Sequence, residues 1–191
     1  MNQLNTIPTK EFKTQNKFEE WLDKNHGLSN GIWLKIFKKD SGIKTVSYAE
    51  ALDVALCYGW IDSQKQKFDE TSWLQKFSPR TPKSIWSKVN IGHVERLIKL
   101  GKMKPAGLTA VEKAKTDGRW DKAYDSPSKM SVPDDFLLEL SKNKKAEKSF
   151  QELGKTSLFS IGFRLHTAKK TETREKRIKE IIQKLEKGEK I

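Results

Sequence analysis

Between Ser47 and Asn90 the chain gathers the side chains that could do chemistry: Trp60, Trp73 and Trp86 stand close in sequence to Asp62, Arg80, Lys88 and Asn90. An indole offers apolar contact and a π face, a carboxylate can move a proton, and a guanidinium can fork onto a carboxylate or phosphate. Arg80 lies between Pro79 and Pro82, which hold the backbone extended and would aim the side chain with little freedom left to lose. Asp62 follows directly on Gly59, Trp60 and Ile61, so its carboxylate is expected at the end of an element, on an aromatic strand face. Lys88 and Asn90 come just after Trp86, near a helix start whose first turn would present free N–H groups to an anion.

Two readings of this set stay open. In one, it lines a cleft for a small anionic or aromatic ligand, with the indoles giving contact and Arg80 giving orientation. In the other, Asp62 and Arg80 pair only to hold the fold, and Trp86 is a core residue. An enzyme using Asp62 as general acid or base and Arg80 as anion clamp is a further alternative, which needs an enclosed pocket and another polar group. No spacing here corresponds to a catalytic signature, so no catalytic residue is assigned and the question of an enzyme stays open.

Other chemistries find less support. His26, His93 and His166 are scattered, with no second ligand at metal-binding spacing, so no metal is expected. Cys57 sits in the apolar stretch Ala55 to Tyr58 and reads as a small core residue rather than a nucleophile. No glycine-rich phosphate loop occurs, and no cofactor is expected.

The chain has 191 residues, 33% of them charged, with a formal net charge of +13. That length suits one domain or two small ones. The basic balance favours anionic partners, nucleic acid among them, but Lys and Glu are interspersed, as in Lys176 to Glu180, which is also how a solvated helix face is written. A nucleic-acid binder using the basic surface therefore ranks below a small-molecule or protein partner. No run is apolar enough for a membrane span and the first residues hold no signal-like stretch, so a cytoplasmic protein is expected. One cysteine agrees with a reducing compartment.

The elements that must position these residues follow from periodicity. A first helix around Phe18, Trp21 and Leu22 precedes a strand over Ile32 to Phe37, which alternates apolar and mixed residues. Ser47 and Glu50 form a capping box for a helix to about Tyr58, stopped by Gly59. Trp60 to Phe68 and Thr71 to Phe77 read as a hairpin, and the prolines make Ser78 to Lys83 an extended connector. Beyond it everything reads as helix: Ile85 to Leu100 with Ser84 as cap, a helix opened by Pro105, one opened by Pro133, then Asn143 to Leu153, Thr156 to Ala168 and Thr171 to Lys187. The expected fold is α+β: a small antiparallel sheet with helices over residues 1–83, closely packed on an all-helical C-terminal part over residues 84–191.

Several segments resemble one family. Ser47 to Asp62, Phe77-Ser-Pro-Arg80, Ser84-Ile-Trp-Ser-Lys-Val-Asn90, Gly101-Lys-Met-Lys-Pro-Ala-Gly107, Asp117-Gly-Arg-Trp120 and Ala168 to Ile178 are similar to the bacterial YdeI/OmpD-associated, or bacteriocin-protection, family. Where many relatives carry an Arg-Arg-Glu-Tyr-like stretch, this chain reads Phe159-Ser-Ile-Gly-Phe163. The resemblance implies a small bacterial protein linked to stress or antimicrobial-peptide tolerance. It brings no cofactor and no catalytic residue with it.

Overall fold

A computed structural model describes residues 7–126 and 129–191, so the first six residues of the expected N-terminal part lie outside the described region. The chain divides into two compact units, one running to Trp86 and resuming over Asn90–Ala123, the other made of Ser87–Val89 and Tyr124–Ile191.

In the first unit the elements run β1 (Thr9–Glu11), α1 (Gln15–Asn25), β2 (Ile32–Phe37), a short 3-10 turn (Lys39–Ser41), α2 (Tyr48–Cys57), β3 (Trp60–Lys67), β4 (Ser72–Pro79), α3 (Lys88–Lys99, its first two residues clustering with the other unit) and α4 (Pro105–Thr116). The strands form one sheet in the order β1-β2-β4-β3. β2, β4 and β3 are antiparallel as expected, and β1 adds a parallel edge strand beside β2. β3 is the opposite edge, with an irregularity between Asp62 and Lys65.

Period-two alternation splits β2 between two environments. Ile32, Leu34 and Ile36 enter the core with Phe18, Leu22, Phe77 and the apolar face of α2, while Trp33, Lys35 and Phe37 stay half-exposed on the other face. The capping box at α2 is complete: Ser47 Oγ accepts from the Glu50 N–H at 3.3 Å, and Glu50 Oε2 accepts from the Ser47 N–H at 2.8 Å. The Ser47 N–H and hydroxyl, both donating to the Glu50 carboxylate, pull it below its usual value.

Helices α3 and α4, grouped with the C-terminal part on sequence, pack their Val94, Leu97, Val111 and Ala114 into the same core as the sheet. The start of α3 also differs from expectation. Ser84 does not cap it; its Oγ accepts from the Thr81 N–H at 2.9 Å and closes a turn, and the helix begins at Lys88.

The second unit is helical: α5 (Asp134–Leu140), α6 (Lys144–Gln151), α7 (Lys155–His166) and α8 (Thr171–Lys187). Its core joins Phe136, Leu140, Ala146, Ile161 and Leu165 to Ile178, Ile181 and Leu185, the stripe of α8. Arg174 grips both oxygens of Asp135 at 2.6 and 2.7 Å and donates to the Leu165 carbonyl; Arg177 donates to the Arg164 carbonyl. Cations on the last carbonyls of α7 answer the negative end of its dipole. Among the described residues, no helix is long and apolar enough to cross a membrane.

Candidate functional site

The connector after β4 and the helix α4 enclose a cleft of about 710 Å³ in the first unit. Its base is set by two glycines. Gly59, at φ +73, turns the chain out of α2, and a Cβ there would lie 3.0 Å from the Ala106 carbonyl oxygen and 3.2 Å from the Ala110 methyl. Gly107 comes closer still: a Cβ would lie 2.2 Å from the Cys57 carbonyl oxygen. The Lys104 N–H donates to that same oxygen at 3.1 Å, so α4 starts hard against the end of α2. Only residues without a side chain permit this approach.

One wall is the α4 face of Ala106, Thr109, Ala110, Lys113 and Thr116, a stripe at helical spacing. The other is Arg80, Thr81 and Pro82. Arg119 bolts that wall in place: its Nη1 donates to the Ser84 carbonyl at 2.8 Å and the Thr81 carbonyl at 3.3 Å, while Nε and Nη2 grip Asp117 at 2.8 and 2.7 Å. Arg80 is held in turn. Its N–H donates to the Gly59 carbonyl at 3.0 Å, its Nη1 donates to the Ile85 carbonyl at 3.1 Å, and its guanidinium carbon lies 3.4 Å from the centre of the Trp86 ring. Trp86 is buried, with Trp120 behind it at 4.9 Å between ring centres. The arrangement holds a guanidinium on Trp86 at the margin of a mainly small-residue wall, with Glu112, Lys113 and Asp117 among the other lining residues, a mix of apolar and charged groups that suits a small amphipathic ligand.

The structure brings together Arg80 and Trp86 of the residues singled out on sequence, and of that set the cleft takes Arg80 as a lining residue. Trp60 is 1% exposed; its indole N–H donates to the His26 carbonyl at 3.1 Å and its ring meets Trp21 edge-on. Asp62 accepts from the Tyr48 hydroxyl at 2.8 Å. Trp73 packs on the sheet core, with the Lys65 ammonium 4.9 Å from its ring centre. Asn90 is half-exposed on α3, and Lys88, counted with the second unit, pairs with Asp125 at 2.9 Å. Sequence reasoning missed Arg119 and Asp117 as cleft residues. The signal was present in Asp117-Gly-Arg-Trp120, but hydrogen bonds to carbonyls 35 and 38 residues away leave no trace in local periodicity.

Other polar clusters are structural. Asp53 accepts from Arg96 Nη2 at 2.6 and 2.7 Å and lies 3.0 Å from His93 Nδ1; the hydrogen bond to Asp53 raises the Arg96 pKa. Burial, with Glu19 and Asp53 nearby, pushes the Cys57 thiol up to about 11, opposite to what a nucleophile needs. Among the described residues, no group of three His, Cys, Asp or Glu side chains is placed to hold a metal ion.

Comparison with known proteins adds two matches. Residues 10–110, more than half of the chain, match the family described as a domain of unknown function, DUF8412. Residues 129–188 match the family described as bacteriocin-protection, YdeI or OmpD-associated. No curated protein and no solved structure matches the chain. The cleft-forming segments up to Gly107 fall within the first match and α5 to α8 within the second: the C-terminal segment is similar to the YdeI/OmpD-associated, bacteriocin-protection family, and the chain belongs to the DUF8412 family.

Proposed function

We propose that the protein is a ligand-binding protein of the bacterial cytoplasm whose first unit takes a small amphipathic anion in the cleft along α4, in support of stress or antimicrobial-peptide tolerance. The observation that carries the reading is Arg80: it lines the cleft and is held there by the Gly59 and Ile85 carbonyls and the face of Trp86. A pre-aimed guanidinium loses little entropy on pairing with a carboxylate or phosphate. The volume of about 710 Å³ lies within the range of small-molecule sites. Ala106, Leu108, Ala110 and Pro82 offer the apolar body of the ligand its contact. The tolerance role rests on the description of the matched family. Asp62, on the Tyr48 hydroxyl and not among the cleft's lining residues, is not placed to act as acid or base beside Arg80 in the cleft.

The test is calorimetry with a panel of amphipathic carboxylates and phosphate monoesters against the wild type, Arg80→Lys and Arg80→Met. The reading expects at least one binder that Arg80→Met weakens about tenfold or more and Arg80→Lys weakens less, the loss of one charge-assisted hydrogen bond being of that order. A panel without a binder, or a binder indifferent to Arg80→Met, overturns it.

A further inference from the structure

The first unit has a second surface of a different kind on the sheet face turned away from the core. Trp33, Lys35 and Phe37 alternate there against the buried Ile32, Leu34 and Ile36. The register of β2 with β4 sets Lys76 opposite Trp33 and Leu74 opposite Lys35 on the same face. Phe68, just past β3, is 53% exposed. Each ring has an ammonium beside it: Lys35 Nζ lies 4.6 Å from the ring centres of both Phe37 and Phe68, and Lys76 Nζ lies 5.9 Å from that of Trp33.

We propose that this face binds single-stranded nucleic acid, with bases stacking on Trp33, Phe37 and Phe68 and phosphates meeting Lys35 and Lys76. Every base has a π face, and rings interleaved with lysines on an open sheet are the physical requirement for sequence-tolerant stacking. Trp33 and Phe37 are four residues apart on one strand, so their platforms stand about 13 Å apart along it. The chain's net charge of +13 supplies long-range attraction for a polyanion. It also disfavours the rival occupant, a second copy, because two such faces would set ammonium against ammonium.

Two acids bear on the site. Asp69 lies 3.7 Å from Lys35, and Glu11 of β1 is paired in register with Lys35. The Asp69 contact is long and partly exposed, and the carboxylate is already held by the Thr71 N–H and by the Thr71 and Ser72 hydroxyls at 2.8 to 2.9 Å. Lys35 can therefore turn to a phosphate without leaving Asp69 unsatisfied. A duplex gains nothing from the rings, since its bases are already stacked. That sets this surface apart from a general basic face and from the α4 cleft.

Fluorescence anisotropy of the full chain with a labelled oligothymidylate, a mixed-sequence RNA strand and a duplex of equal length, at low salt, tests the proposal. Both single strands are expected to bind about tenfold or more tighter than the duplex. Trp33→Leu and Phe37→Leu each weaken strand binding about tenfold, the scale of one lost base–aromatic stack, while Trp33→Phe keeps most of it. Lys35→Met and Lys76→Met each reduce the slope of log K against log salt by about 0.7. If a leucine variant does not fold, Trp33→Phe and the lysine variants still decide. Equal affinity for strand and duplex, full binding by the folded leucine variants, an unchanged salt slope in the lysine variants, or no strand binding at low salt overturns it.

Discussion

The guanidinium carbon of Arg80 lies 3.4 Å from the centre of the Trp86 ring, and Trp86 itself is 2% exposed. A cation on a desolvated indole is worth more than the same pair in water, because the ring quadrupole is less screened. A residue that lines the cleft is thus also one of the contacts holding the connector to the core.

Arg80→Met is therefore expected to lower stability by about 1–2 kcal/mol in urea denaturation, the range for a desolvated cation–π pair. Arg80→Lys should recover part of this, since an ammonium keeps the charge but not the planar stacking. A melting profile for Arg80→Met equal to the wild type would mean that the stack contributes nothing to the fold.

Gly107 and Gly92 form a matched pair. Gly107→Ala drives a methyl to 2.2 Å from the Cys57 carbonyl oxygen, so α2 and α4 must separate at a cost of about 1–3 kcal/mol. Gly92 lies inside α3 with nothing within 4 Å of where its Cβ would stand, and Gly92→Ala should stabilise by about 0.5–1 kcal/mol through helix propensity. Denaturant midpoints of the two variants should move in opposite directions; a shared direction refutes the packing argument.

Cys57 gives the protein an alkaline limit. Its folded thiol ionises at about 11 because of burial, against 9.0 for an ordinary thiol. Between those values the unfolded chain has lost a proton that the folded one keeps, so stability falls as pH rises from about 9 to 11. Cys57→Ala should flatten that part of the stability curve. At pH 8 the native thiol should alkylate far more slowly than after unfolding in urea, and equal rates would contradict its burial.

The second unit has the opposite, acidic, limit. Hydrogen bonding from Arg174 holds the Asp135 carboxyl below its usual value of 3.8. A depressed folded pKa stabilises above the unfolded value, and that contribution disappears as pH falls through the folded one. Arg174→Met should reduce stability at pH 7 and leave a shallower loss below about pH 4. With half of the Asp135 side chain exposed, the effect is expected near the lower end for ion pairs, about 1 kcal/mol or less. An acid melting curve identical to the wild type's would dismiss the pair as a contributor.

Much of the architecture was legible because it is written locally. Ser47 and Glu50 announced α2, Gly59 its end, the alternation from Ile32 its strand, and Ile178, Ile181 and Leu185 the inward stripe of α8. β1 was not, since Thr9, Lys10 and Glu11 carry no strand pattern and are held by pairing with Trp33, Leu34 and Lys35. The cleft was half legible. Arg80 stood out between its prolines, but Trp60, Trp73 and Trp86 look the same on paper, and only packing sets Trp86 under the Arg80 guanidinium while all three join the same core. Pro105 announced helix α4, but nothing marked it as a cleft wall, because a wall made mainly of alanine and threonine is defined by side chains it lacks.

The outermost strand of the sheet, β3, has one more consequence. A free strand edge is a template on which other chains can add hydrogen bonds, the first step of aggregation. Here the exposed stretch from Ser63 to Lys67 carries Lys65 and Lys67, and the break in register between Asp62 and Lys65 spoils the even ladder that an incoming strand would need. Two charges and one break in the ladder thereby protect this border, and replacing both lysines with valine would expose it to strand addition, read as faster aggregation in light scattering.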